Sequence, residues 1–209
     1  MMREAKLLRR AFFNRDPRVV ARELLGKLVV RRDGRRQLAG RIVEVEAYLG
    51  AGDLAAHAAA GHTARNSVLW GPPGHAYVYF IYGVHYCLNI SCLPAGVAGC
   101  VLIRALEPVS GMANMAKARG VSDLDFTSVR DLRRLASGPG KLCEALDITR
   151  PRDNDKDMLS SKSDLQVVSD GFRVRDVAVT QRIGITKSAE LPLRYVIAGN
   201  RFVSIKPVI

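Results

Sequence analysis

The sequence predicts an α+β protein: a single domain, residues 1–209, with a mainly antiparallel sheet and helices set between its strands. Three observations carry that expectation. A chain of 209 residues fits one domain. Its hydrophobic content of 48% supplies the material of a globular core. Strand-like runs joined by short turns mix irregularly with helical stretches, without the regular βαβ spacing of a parallel sheet.

In chain order, NRDPRVVARELLGK reads as a helix, with Asp16 as its cap, Pro17 at its first position and Gly26 at its end. KLVVRRDGRRQLAGRIVEVEAYLG reads as two strands around an Asp33-Gly34 turn. The Ala-rich AGDLAAHAAAGH is expected to be helical for roughly two or three turns. GPPG at 71–74 is a loop, followed by aromatic strands. GCVLIRALEP reads as a strand and GMANMAKARG as a helix. SGPGKLCEALDI marks a helix start, with Ser137 as cap and Pro139 near the first turn. PRDNDKDMLSSKSD, 151–164, reads as an exposed loop. PLRYVIAGNRFVSIKPVI reads as a hairpin around Gly199-Asn200.

The formal charge of +12, from 32 Lys and Arg against 20 Asp and Glu, points to a polyanionic partner: nucleic acid or an anionic membrane surface. The membrane is the weaker choice, because no apolar run approaches the roughly 18 residues that span a bilayer. The amino terminus, MMREAKLLRR, lacks the apolar segment of a secretory signal, so a cytoplasmic, nucleoid-associated or nuclear protein is expected. Residues 1–41 hold 13 of the 32 basic side chains, whereas residues 42–103 hold only Arg65. Such a basic rim around a lysine-free centre suits an electrostatic funnel to a pocket; the alternative is that the charges simply solvate a helix and a loop. Cys87, Cys92, Cys100 and Cys143 have no C-x-x-C or zinc spacing and sit in apolar runs, as reduced core thiols do.

Two stretches hold candidate chemistry. In RIVEVEAYLG, strand periodicity sets Val43, Val45 and Ala47 on one face and Glu44, Glu46 and Tyr48 on the other. That second face is either a solvated acidic surface or, given the tyrosine beside two carboxylates, a pocket wall. In YVYFIYGVHY, residues 77–86, Tyr77, Tyr79 and Ile81 share a face, while Val78, Phe80 and Tyr82 share the opposite one. Packed sheet accounts for most of these rings. Tyr82, placed just before Gly83 where the ribbon turns, has little to pack on unless a partner arrives. A base stack entered from the minor groove fits a basic protein.

Other motifs fail. GPGK at 138–141 is not a phosphate loop, because Leu135 and Leu142 occupy its glycine and hydroxyl positions. The four histidines lack metalloprotease and deaminase spacing, and no G-x-S-x-G occurs.

RIVEVEAYLG, AAH, YVYFIYGVHYCLNIS, CVLIRALEP, SGPGKLC and RIGI, in that order, closely resemble the alkyladenine (3-methyladenine) DNA glycosylase family, over about Phe12 to Ile205. The resemblance implies a compact domain on a curved antiparallel sheet with a protruding hairpin. It also implies an enzyme that removes damaged purines from double-stranded DNA without metal or cofactor; monomeric action is the default for a single domain. It places the water-activating carboxylate on Glu46, an arginine beside the water on Arg104, and a water-holding main-chain carbonyl on Ile183. Base-stacking positions fall on Tyr48, His57 and Tyr79. Asn89 falls where an asparagine crowds the 2-amino group of guanine, and Tyr82 falls on the intercalating tyrosine. Residues 112–134 and 151–164 match poorly. No lysine lies between Lys27 and Lys117, which suits a glycosylase that forms no Schiff base, although Lys141 stays open. The competing expectation is a non-catalytic minor-groove protein that bends DNA with Tyr82; a third is an RNA-binding domain.

Overall fold

A computed structural model describes residues 5–34 and 36–206. Its strands are β1 (Lys6–Leu7), β2 (Leu28–Asp33), β3 (Arg36–Tyr48), β4 (Ala76–Ile81), β5 (His85–Ser91), β6 (Cys100–Ser110), β7 (Leu165–Ser169), β8 (Val177–Thr180) and β9 (Arg194–Ile197). The helices are α1 (Arg10–Phe13), α2 (Pro17–Leu24), α3 (Met112–Ala118), α4 (Val129–Ala136), α5 (Pro139–Ala145) and α6 (Arg150–Asp153).

All nine strands join one antiparallel sheet, ordered β1-β7-β2-β3-β6-β5-β4, with β9 pairing β3 and β8 pairing β9. Long β3 pairs with β6 along one edge; its other edge is shared, first by β2 and then by β9. That branching curls the sheet around a core in which Val45, Ala47, Val78, Leu88, Ile90 and Ile103 meet Leu24, Leu142 and Leu146. The α+β class and the antiparallel sheet are as the sequence predicts. Asp16 does cap α2, accepting from the Arg18 amide at 2.8 Å, with Pro17 in its first turn.

Four local expectations are corrected. The Ala-rich stretch forms only a 3-10 turn, His57–Ala60, because Asp53 accepts from the Leu49 and Ala55 amides and holds the chain in turns. Ser137 does not cap α5: it is drawn into a bridge with Ala105 on β6, and Gly138, at φ +143°, takes the cap position. Residues 151–164 are not a simple exposed loop. They begin within α6, and Asp153 and Met158 are fully buried, the former by its ion pair with Arg31 at 2.8 Å. The carboxy-terminal hairpin is absent within the described residues, since both edges of β9 are taken; after the turn at Gly199 the chain folds back and buries Phe202 against Val43 and Ala105. The end of that expected hairpin, 207–209, lies outside the described residues, as do the first four residues of MMREAKLLRR.

Candidate active site

The acidic face of β3 is not solvated: Glu44 and Glu46 are both fully buried. Two irregularities of β3–β6 pairing account for their surroundings. The register passes from Ile42↔Leu106 to Glu44↔Ala105, skipping Val43, and then to Val45↔Ile103, skipping Arg104. Val43 therefore leaves the face of Val45 and Ala47 and packs on Ala105 and Phe202 instead. Arg104 is aimed back at the two carboxylates, as bulged residues often are beside functional sites.

Arg104 Nε donates to Glu44 Oε1 at 3.1 Å, and its Nη1 lies 3.3 Å from Glu46 Oε1. Glu44 also accepts from Arg194 Nε and the Ser204 hydroxyl, both at 2.8 Å. Glu46 accepts from the Ile183 amide at 2.8 Å and from the Tyr48 hydroxyl at 3.0 Å. Burial pushes the Glu46 carboxyl above the usual range; Arg104, the Ile183 N–H and Tyr48 counter part of that rise, and Glu44 adds to it. At Ile183 the observed contact is thus through the amide rather than the carbonyl.

Tyr48 stands between this cluster and a cavity of about 140 Å³, lined by Tyr48, His57, Tyr77, Tyr79, Asn89 and Cys100 among others. Burial raises the Tyr48 and Tyr79 phenols, so both remain protonated. The His57 and Tyr79 rings lie 4.5 Å apart, and His57 Nδ1 meets the Tyr77 hydroxyl at 2.7 Å. Burial, assisted by Arg65, pushes the His57 imidazole down, which keeps it neutral near pH 7. Asn89 is fixed at the cavity floor, its amide donating to the Tyr77 carbonyl at 3.1 Å.

A second cavity adjoins the first, sharing Tyr48, Tyr79, Ile81 and Ile185, and reaches Arg104, Ile183 and Tyr82. Tyr82 sits at the tip of the β4–β5 hairpin, 79% exposed, at φ +55°. The ribbon thus turns where the sequence suggests. Among the described residues, no lysine lines either cavity, and no group of His, Cys, Asp and Glu is placed to hold a metal ion.

Every site residue singled out in the sequence lies in or beside these two cavities. Sequence reasoning passed over three contributors. Tyr77 carries a usable signal, since it shares strand parity with Tyr79 and Ile81. Asp53 and Arg182 carry none: they are 129 positions apart, yet form a fully buried ion pair at 2.5 and 2.8 Å. Arg182 also lies 4.6 Å from the Tyr48 ring centre and directly precedes Ile183, so it supports two of the partners of Glu46.

These features define an α+β protein whose curled sheet carries an aromatic slot backed by a buried carboxylate. A family model described as methylpurine-DNA glycosylase (MPG) matches residues 11–201. The chain is 65% identical to a protein of Koribacter versatilis (strain Ellin345) named "Putative 3-methyladenine DNA glycosylase", over 94% of this chain and 92% of the relative. Proteins of the same name from Burkholderia cenocepacia (strain HI2424) and Methanoculleus marisnigri are each 47% identical over 93% of the chain, covering 89% and 96% of those relatives. The chain belongs to the methylpurine-DNA glycosylase family. Family membership makes it a DNA glycosylase of alkylated-base repair. Among the described residues no helix is long and apolar enough to cross a membrane.

Proposed function

We propose that the whole chain acts as one monomeric glycosylase domain that turns an alkylated or deaminated purine out of duplex DNA and hydrolyses its N-glycosidic bond, leaving an abasic site. The observation that carries this reading is Glu46, a buried carboxylate with a raised pKa placed behind an aromatic slot. A protein that only bends DNA has no use for it.

Extruding a nucleotide costs a few kcal/mol, which the Tyr82 ring offsets by filling the gap in the stack. Tyr48, Tyr79 and neutral His57 receive the base. A cationic alkylated purine gains on the order of 1 kcal/mol from those ring faces. Asn89, held rigid by Tyr77, excludes guanine by crowding its 2-amino group. As the bond breaks, the sugar becomes oxocarbenium-like; ionised Glu46 stabilises that charge and accepts a proton from the attacking water. Arg104 and the Ile183 amide hold Glu46 toward its ionised form, and the Ile183 carbonyl orients the water. The absence of lysine from both cavities among the described residues suits direct attack by water without a Schiff base. The reaction needs no cofactor, and the enzyme acts in the cytoplasm, at the nucleoid, or in a nucleus.

The test is single-turnover base release from a duplex bearing one ethenoadenine or hypoxanthine, wild type beside Glu46→Gln. Release should fall at least about a hundredfold in the variant, the scale of a lost general base, with lesion binding retained. Comparable release by both proteins would remove Glu46 from this role.

A further inference from the structure

Beyond the two cavities, an open cleft of about 430 Å³ lies between α4, α5 and the chain after β9. Arg130, Arg133, Arg134, Lys141, Arg201 and Lys206 line it, and no acidic side chain does among the described residues. Most of this charge is unmatched. Arg133 donates to the Val203 carbonyl and Arg134 lies 3.6 Å from Asp131, but the side chains of Arg130, Lys141, Arg201 and Lys206 make no hydrogen bond or ion pair among the described residues. Ordinary surface cations are spread out or matched with carboxylates; six gathered in one concavity repel one another and favour an anion between them.

A second observation points the same way. Ser137, at the cleft wall, is more than nine-tenths buried, and its hydroxyl has no hydrogen-bond partner among the described residues. A buried unmet donor is costly unless a ligand oxygen reaches it. The cleft also has a fixed relation to the slot. Lys141 on its wall follows directly on Pro139 and Gly140, which line the cavity that holds Tyr82 and Arg104. Ser204, which also lines the cleft, is hydrogen-bonded to Glu44 at 2.8 Å, the carboxylate that holds Arg104. The cleft and the site thus meet at consecutive residues of α5. A duplex engaged at Tyr82 presents one phosphate per strand every 3.4 Å or so of axis.

We infer that this cleft is a binding site for backbone phosphates of the substrate duplex, beside the lesion and distinct from the base pocket. The inference rests on the glycosylase reading above. It assigns the unpaired arginines and Lys206 to neutralising phosphates, and the Ser137 hydroxyl to a phosphate oxygen.

The experiment compares three proteins: wild type, the cleft variant Arg130→Gln/Arg201→Gln/Lys206→Gln, and a control of equal charge change, Lys162→Gln/Arg173→Gln/Arg175→Gln, whose positions are exposed elsewhere. Equilibrium binding to a short undamaged duplex and to the same duplex with one lesion is measured across a salt series. Folding is checked by thermal unfolding, and the single variant Arg201→Gln is carried alongside should the triple variant fail to fold. The cleft variant should bind both duplexes at least tenfold more weakly. The slope of log K against log salt should shrink by about one for each phosphate that is no longer neutralised, and the control should track the wild type. A cleft variant within twofold of wild type, or a control that weakens equally, would overturn the phosphate site. Base release by the wild type is read in parallel: its absence would sink the glycosylase reading, whereas its presence with an unaffected cleft variant sinks only this one.

Discussion

Glu44 and Glu46 are joined through a single cation: Arg104 lies 3.1 Å from the first carboxylate and 3.3 Å from the second, and both carboxylates are out of solvent. The two differ in their other partners. Glu44 is surrounded by Arg194 and Ser204, while among the described residues Glu46 has only the Ile183 amide and the Tyr48 hydroxyl besides. One carboxylate anchors the arginine; the other is left with capacity to accept a proton.

Glu44→Gln should therefore have two separable effects. Leaving Arg104 and Arg194 buried opposite an amide should cost about 3–5 kcal/mol in denaturant unfolding. Under the mechanism proposed above, excision uses ionised Glu46, and its rate should rise with pH through an acid limb set by that group. Losing the Glu44 charge, which helps hold the Glu46 pKa up, and freeing Arg104 toward Glu46 both act downward. The limb should move to lower pH in single-turnover profiles. An unmoved limb in a destabilised protein would reduce Glu44 to a structural part.

Asp53→Asn should expose the dependence of the slot on its buried support. Arg182 would lose its counter-charge, again at about 3–5 kcal/mol, and with it the restraint on Tyr48 and Ile183. Adding Arg182→Met should recover much of the stability, since an apolar replacement removes the stranded charge. Excision should stay depressed, because no guanidinium then backs the Tyr48 ring. Full recovery of both quantities would show that the pair acts only on folding.

Tyr82→Gly should separate stability from lesion engagement. A tyrosine at positive φ is strained by roughly 1 kcal/mol, and glycine is not. Thermal stability should hold or rise, while affinity for a lesion duplex falls about tenfold or more with the loss of a stacking ring. Unchanged affinity would deny Tyr82 a place in the duplex.

The parts legible in the sequence are those decided locally. The Asp16 cap, the Asp33-Gly34 turn and the parity of Tyr77, Tyr79 and Ile81 each depend on a few neighbouring residues, and all are present. Alternation along β3 is readable only in part. The skipped residues Val43 and Arg104 reflect the curl imposed by β9 and β6, which no period of two contains. Alanine propensity at 55–60 is overridden by one side chain, Asp53, whose ion pair depends on a residue far along the chain. The carboxy-terminal hairpin fails likewise, because β3 and β8 occupy both edges of β9.

The thiols of the slot have a consequence for the conditions in which such an enzyme works. Cys100 lines the aromatic cavity and Cys87 its neighbour, and burial raises both, Cys100 to about 12. At neutral pH the Cys100 thiol then stays protonated, and the thiolate is the form that attacks electrophiles. Reagents that methylate DNA attack soft nucleophiles readily. By keeping its sulfurs protonated, the pocket holds its thiols in the form that reacts slowly with the agents that alkylate DNA.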